Sequence, residues 1–200
     1  MTPEFLKGRA MGRRGMLGLA LGAVMLAGLV AIGSPDPVLG NEPSETTILT
    51  VAGEVRNPNR GPFDPDNDKF FGYSDVAFKA AVAFDYDTLA RLDMVSLRAD
   101  FPKHGPEHLF EGPTLAAVLE AAGATGKTAV LKELDGYQIE VPVSDLLRSG
   151  AVLALKRDGK PLGIGDYGPV QLVFPRSERP ELKEMSDDHW IWSVFLIELR

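Results

Sequence analysis

Three histidines, His104, His108 and His189, are the only imidazoles in this 200-residue sequence, and it contains no cysteine. Metal and nucleophile chemistry must therefore be built without a thiolate, which removes thiolate catalysis, iron–sulfur ligation and sulfur ligands to a soft metal. His104 and His108 lie in Lys103-His104-Gly105-Pro106-Glu107-His108. A spacing of four aims two rings at one metal only on a helix, and Gly and Pro break a helix here. The segment reads as a surface loop that can line a pocket. Asp64, Asp66, Asp68 and Asp75 fall at positions 1, 3, 5 and 12 of a twelve-residue calcium loop. Lys69 stands where the sharp turn needs glycine, and Asp75 is shorter than the usual bidentate Glu, so a solvated acidic loop is expected. Ala121 to Thr128, AAGATGKT, fits a relaxed phosphate-loop pattern. Its context is reversed, because it leaves a helix and enters a strand, whereas phosphates are held where a strand gives way to a helix N-terminus. No Ser-His-Asp set can be assembled from spacing.

Short elements must position these groups. Ile48 to Val55 reads as a strand ending at the turn Asn57-Pro58-Asn59, and Val76, Phe78, Ala80, Val82 and Phe84 alternate as in a half-buried strand. Asp85 or Asp87 can cap a short helix carrying Leu89 and Leu92. Met94 to Ala99 is a further strand. Pro113 and Thr114 open the clearest helix, with Leu115, Val118, Leu119 and Ala122 on one stripe and Gly123 ending it. Thr128 to Leu134 and Tyr137 to Val141 form a hairpin about Asp135-Gly136, and Ser144 to Arg148 a short helix. Strands are expected at Val152 to Arg157, Val170 to Phe174 and Trp190 to Leu199, with a turn at Asp158-Gly159. Strands outnumber the helices, and the expected class is α+β, with a mixed or largely antiparallel sheet.

The N-terminus has a different character. Lys7, Arg9, Arg13 and Arg14 precede an uncharged run from Gly15 to Gly33, the basic-then-apolar layout of a secretory signal. Residues 1–33 are expected to be such a signal, cleaved after Gly33 or Gly40, and Arg13-Arg14 resembles a twin-arginine export sequence. An uncleaved membrane anchor is the alternative, since about 18 apolar residues can span a bilayer. Residues 34–46 read as a flexible leader and 47–200 as the folded domain, with a periplasmic location. Without residues 1–33 the chain carries 17 Lys and Arg against 27 Asp and Glu, a net charge of −10. That balance excludes nucleic acid as a partner and leaves the export signal, if uncleaved, as the only contact with a membrane.

The second half carries an ordered series of motifs. Phe110-Glu111-Gly112-Pro113-Thr114-Leu115 enters a helix ending Leu119-Glu120-Ala121-Ala122-Gly123, followed by Leu134-Asp135-Gly136-Tyr137 and Val141-Pro142. Leu153-Ala154-Leu155, Asp158-Gly159-Lys160-Pro161-Leu162, Gly168-Pro169-Val170, Val173-Phe174-Pro175, Trp190-Ile191-Trp192 and Ile197-Glu198-Leu199 complete it. In order and spacing this series, over about residues 47–200, resembles the oxidoreductase molybdopterin-binding domain, the central domain of the sulfite oxidase family. The resemblance implies a sulfite oxidase-like α+β fold with a mixed β-sheet and short helices. The family's enzymes ligate molybdenum through a cysteine ahead of the motif matched by Phe110-Glu111-Gly112. Here that stretch, about Leu97 to Leu109, reads LRADFPKHGPEHL and offers none.

Short, exported, cysteine-free versions of the domain resemble periplasmic pterin-binding proteins that regulate membrane enzymes of cyclic-di-GMP turnover. The resemblance implies a pterin or molybdopterin-like ligand, no molybdenum, no redox catalysis, and a membrane sensor or cyclic-di-GMP signalling protein as partner. A pterin needs an aromatic face and paired polar groups for its amide edge. Trp190, Tyr137, Tyr167 and Trp192 supply candidate faces. Arg98, Asp100, His104, His108, Asp135, Asp166 and Arg176 supply candidate edges. Trp190 and Trp192, two apart on an expected strand, would share one face, which puts at least one of them in the core. Two alternatives stand beside this reading: a molybdopterin-dependent oxidoreductase with non-cysteine coordination, and a ligand-free adaptor domain.

Overall fold

The computed structural model describes Pro43 and residues 45–200. The export signal and most of the leader expected from the sequence lie outside the described residues. Among the described residues no helix is long and apolar enough to cross a membrane.

The architecture is α+β and, among the described residues, has eleven strands in three sheets and four short α-helices. The main sheet contains β1 (Thr47–Gly53), β2 (Ala81–Asp85), β5 (Thr128–Glu133), β6 (Gln138–Pro142) and β11 (Val194–Leu199), in the order β2-β1-β11-β5-β6. β1 and β11 pair in parallel and the other pairs are antiparallel. Strand β11 reads VFLIEL, an almost continuous apolar run, because it is central and both its faces are covered. Gly53 sits where β1 meets the end of β11. It has a φ of +91°, and a Cβ there would lie 2.1 Å from the Leu199 carbonyl oxygen. A four-stranded sheet runs β3 (Met94–Asp100), β4 (Glu107–Pro113), β8 (Lys156–Arg157), β9 (Lys160–Pro161), and a ribbon pairs β7 (Val152–Ala154) with β10 (Gln171–Val173). Gly112 lets β4 cross β7, since its missing Cβ would lie 2.0 Å from the Leu153 oxygen.

Helix α1 spans Lys69–Tyr73, α2 Tyr86–Ala90, α3 Leu115–Ala121 and α4 Val143–Ser149. Of the two aspartates that could cap α2, Asp85 does so, its carboxylate accepting from Thr88 N at 2.7 Å. Thr114 caps α3 by accepting from Ala117 N, and the expected stripe Leu115, Val118, Leu119 and Ala122 is buried.

Three expected strands are corrected. The run from Val76 yields a ladder only from Ala81. Val76 and Phe78 are buried in a separate apolar cluster with Ala52, Ala81, Phe195 and Leu196, where their backbone bonds go to Phe71 and Phe63. Alternating burial there reflects side-chain packing under α1, with no sheet involved. Val152 to Arg157 divides at Leu155, because β7 pairs with β10 while β8 pairs with β4 and β9. Trp190 to Ser193 does not belong to β11. Leu172 N donates to Ile191 O and Ser193 N to Tyr167 O, and Ser193 adopts a φ of +49°, so the chain turns before the strand begins. Trp190 and Trp192 therefore do not share a strand face.

Candidate functional site

An open cleft of about 580 Å³ lies where three chain segments meet: the β5–β6 hairpin, the loop after β9 and the turn into β11. Its volume falls within the range typical of small-molecule sites. Asp135, Asp166, Tyr167, Trp192, Ile164 and Ser193 are among the residues that line it. The hairpin forms because Asp135-Gly136 suits a tight turn: Asp135 Oδ1 accepts from Tyr137 N at 2.9 Å, and Gly136 has a φ of +91°. Ser193 fastens the three segments. Its amide donates to Tyr167 O, its hydroxyl to Gly168 O at 2.7 Å, and its carbonyl accepts from Leu134 N. The rings of Tyr167 and Trp192 meet edge to face with centroids 6.3 Å apart and planes 85° from each other. They form a corner.

Behind this corner lies Glu133, 3% exposed, with Oε1 accepting the Trp192 amide at 3.0 Å. Burial, reinforced by the neighbouring Asp135 carboxylate, raises the Glu133 pKa to about 7 against the pull of the Trp192 N–H. Tyr137 donates its hydroxyl to Asp188 O at 3.2 Å. Burial, with Asp188 and Glu133 nearby, raises its pKa. Neither Asp135 nor Asp166 forms an ion pair among the described residues. Both are exposed.

A second set of site candidates is brought together elsewhere and is spent internally. Arg176 is 3% exposed and donates from Nε to Asp100 Oδ1 at 2.8 Å. Its Nη1 donates to Asp187 Oδ1 at 2.7 Å and to Met185 O, and its Nη2 to Asp100 O. His104 contributes its backbone N–H, which reaches Asp100 Oδ2, while Lys103 N donates to Asp187 Oδ2. Burial alone would raise the Asp100 carboxyl, but the His104 amide and the Arg176 guanidinium outweigh it and hold the pKa below its ordinary value. Trp190, 1% exposed, lies under the Arg176 guanidinium at 4.6 Å, stacks on Phe101 at 5.2 Å and 10°, and meets Phe110 and Phe174 edge-on. Both of its faces are occupied by the protein, so it has no free face for a ligand. This clamp fastens Phe101 to Gly105, part of the stretch that holds cysteine in the enzymes the sequence resembles, onto the segment Met185 to Trp190.

Arg98 and His108 belong to neither group. Arg98 is exposed on β3, its amide bonded to Glu178, and His108 Nδ1 lies 2.6 Å from Asp158 Oδ2 across the β8–β9 turn. Thus Asp135, Asp166, Tyr167 and Trp192 gather at the cleft, Asp100, His104, Arg176 and Trp190 gather at the clamp, and Tyr137 lines neither, its hydroxyl bonded to Asp188 O. The sequence reading passed over Glu133, Ile164, Ser193 and Arg157. The hairpin signal alone could have pointed to Glu133, because it places that residue beside Asp135. Arg157 holds its guanidinium 5.2 Å over the Tyr167 ring without lining the cleft. Phe101 touches Tyr167 edge-on at 5.3 Å, so an aromatic path connects clamp and cleft.

Among the described residues no group of three His, Cys, Asp or Glu could hold a metal ion. The acidic loop spends its carboxylates on the protein: Asp68 pairs with Arg60 at 2.6 Å and accepts Asp64 N, while Asp64 accepts Asp66 N and Asn67 Nδ2. Gln171 is fully buried with neither amide atom bonded, and Trp190 Nε1 is likewise buried without a partner.

No protein-family model matches the chain, and no curated protein matches it in sequence. Among solved structures it is similar to the sulfane dehydrogenase SoxCD from Paracoccus pantotrophus, with a TM-score of 0.50 and 15% identity. The likeness covers 76% of this chain and 37% of that one, so this chain matches well under half of the dehydrogenase's length. At that identity the likeness shows the fold alone.

Proposed function

We propose that this protein is an exported, non-catalytic pterin-binding regulator that passes the occupancy of its cleft to a membrane signalling partner. The observation that carries the reading is the Tyr167–Trp192 corner with two carboxylates, Asp135 and Asp166, on the same cleft and without an ion-pair partner among the described residues. A pterin presents a flat face to an aromatic wall and an N–H-rich aminopyrimidinone edge to a carboxylate, which can accept two parallel hydrogen bonds. The dithiolene-held metal of molybdopterin enzymes is a poorer fit. The sequence supplies no thiolate, and the counterpart segment is tied down by the Arg176 clamp. The ring portion of the cofactor is what these residues could hold.

Export, read from Lys7 to Gly33, would place the domain beside the outer portions of membrane sensors and cyclic-di-GMP enzymes. Ligand would alter such a partner's output only if the complex and the free domain bind it with different affinity. The test is calorimetric titration of a tetrahydropterin into the domain, with and without the extracytoplasmic region of a candidate partner. Tyr167→Ala and Trp192→Ala should each weaken binding by about 1–3 kcal/mol. Should no pterin bind at about millimolar concentration, a limit corresponding to about 4 kcal/mol, the ligand-free adaptor reading takes its place. One observation favours that second reading: Ile164, on the cleft lining, is 81% exposed and offers an apolar contact to a partner.

A further inference from the structure

The charge of the cleft points to a narrower ligand than the pterin class as a whole. We infer that it admits a planar heterocycle with an amidine- or guanidine-like N–H edge in neutral or cationic form, and discriminates against phosphorylated members of the same class. This rests on the pterin reading above and deepens it.

The charged side chains that line the cleft, Asp135 and Asp166, are both acidic. Neither is neutralised by a Lys or Arg among the described residues, and Glu133 adds a third carboxyl directly behind the wall. Arg157, a cation that touches the lining at Tyr167, is drawn over that ring and also over Phe110, at 5.2 and 5.9 Å. An arginine committed to aromatic faces is a poor partner for a phosphate, which Arg binds best through its planar N–H fork. A phosphate monoester entering this cleft would meet two like charges at short range, a repulsion that weakens as salt screens it. A 2-amino-4-oxo edge meets the opposite situation. Its amino and ring N–H groups point outward as donors, and Asp166 has acceptor capacity for them, while Asp135 already accepts the Tyr137 amide at Oδ1 and has the Glu133 side chain within hydrogen-bonding reach. The same chemistry accepts a protonated, hence cationic, ring more readily than a neutral one.

The experiment titrates the domain with a matched pair, 6-hydroxymethyl-tetrahydropterin and its phosphate monoester, at about 0.05 and 0.15 M salt. The unphosphorylated ring should bind at least about tenfold more tightly, with the gap wider at the lower salt. In the Asp135→Asn/Asp166→Asn double variant the gap should shrink to about threefold or less, since amides keep the shape and remove the charge. Both positions are exposed, and circular dichroism of the variant verifies that the fold persists. Binding of both compounds with equal affinity, or tighter binding of the phosphate, overturns the selection and leaves the pterin reading standing. A phosphate preference abolished by Arg157→Gln would overturn it too and assign Arg157 to the anion. Binding of neither compound removes the pterin reading itself, and the selection with it.

Discussion

The Arg176 clamp and the Tyr167 cleft are assembled from the same materials, aspartates beside a large aromatic ring with an arginine over it, and they are put to opposite uses. At the clamp, Arg176 meets Asp100, Asp187 and Met185 O while covering Trp190, so its charge is spent inside the protein. At the cleft, Asp135 and Asp166 have no cationic partner among the described residues, and Trp192 keeps part of its surface open. Residue type therefore does not separate a structural polar group from a binding one. What separates them is whether the fold has already supplied the partner.

Substitution of the two tryptophans should divide the regions most sharply. Trp190→Ala removes a ring packed on three phenylalanines and should cost about 4 kcal/mol in urea unfolding. Trp192→Ala should cost about 1 kcal/mol and act instead on ligand affinity. Equal costs would mean that both rings are core. Next comes Arg176→Met, which strands the Asp100 and Asp187 carboxylates and should cost about 3 kcal/mol; Asp166→Asn at the cleft should change stability by less than about 0.5 kcal/mol.

Glu133 yields a pH dependence of defined sign. Its pKa is raised in the folded protein, so between about 4.5 and 7 the folded state retains a proton that the unfolded state has released. Stability should therefore fall as pH rises through that window, by up to about 3 kcal/mol for a shift of this size. Measured against wild type, Glu133→Gln should flatten that part of the stability curve. An unchanged slope would show that the carboxyl is solvated in solution. A smaller effect than at Glu133 is expected at Gln171, whose buried side-chain amide has no partner among the described residues. Gln171→Met should be neutral or stabilising by about 1 kcal/mol, whereas a clear loss would reveal a hidden bond, such as an internal water.

The local parts of this account were legible in the sequence, because local chemistry specifies them. The α3 stripe, the Thr114 opening and the Asp135-Gly136 hairpin all depend on residues within about four positions, as does an aspartate cap on α2, though the sequence left Asp85 and Asp87 as alternatives and the structure picks Asp85. The α+β class followed from counting such elements, and the likeness to the sulfane dehydrogenase agrees with it. The division of site candidates between clamp and cleft was not legible. Arg176 takes its main partner from Asp100, 76 residues earlier, and no periodicity marks that pairing. The two tryptophans looked equivalent because an apolar run through Trp190-Ile191-Trp192 reads as strand. Bonds from Leu172 to Ile191 and from Ser193 to Tyr167 bend it away from the ladder. Tertiary hydrogen bonds overrode a pattern that side-chain hydrophobicity alone would have extended.

The most direct test of the central claim, that the cleft is the ligand site and the clamp is not, uses the two indole N–H signals of the chain's two tryptophans. A nitrogen-15 correlation spectrum is recorded as 6-hydroxymethyl-tetrahydropterin is titrated in, with Trp192→Phe assigning the peaks. The account predicts that the Trp192 signal moves with ligand concentration, while the buried Trp190 signal moves much less. A shift dominated by Trp190, or no shift of either signal under conditions where calorimetry detects binding, would contradict it.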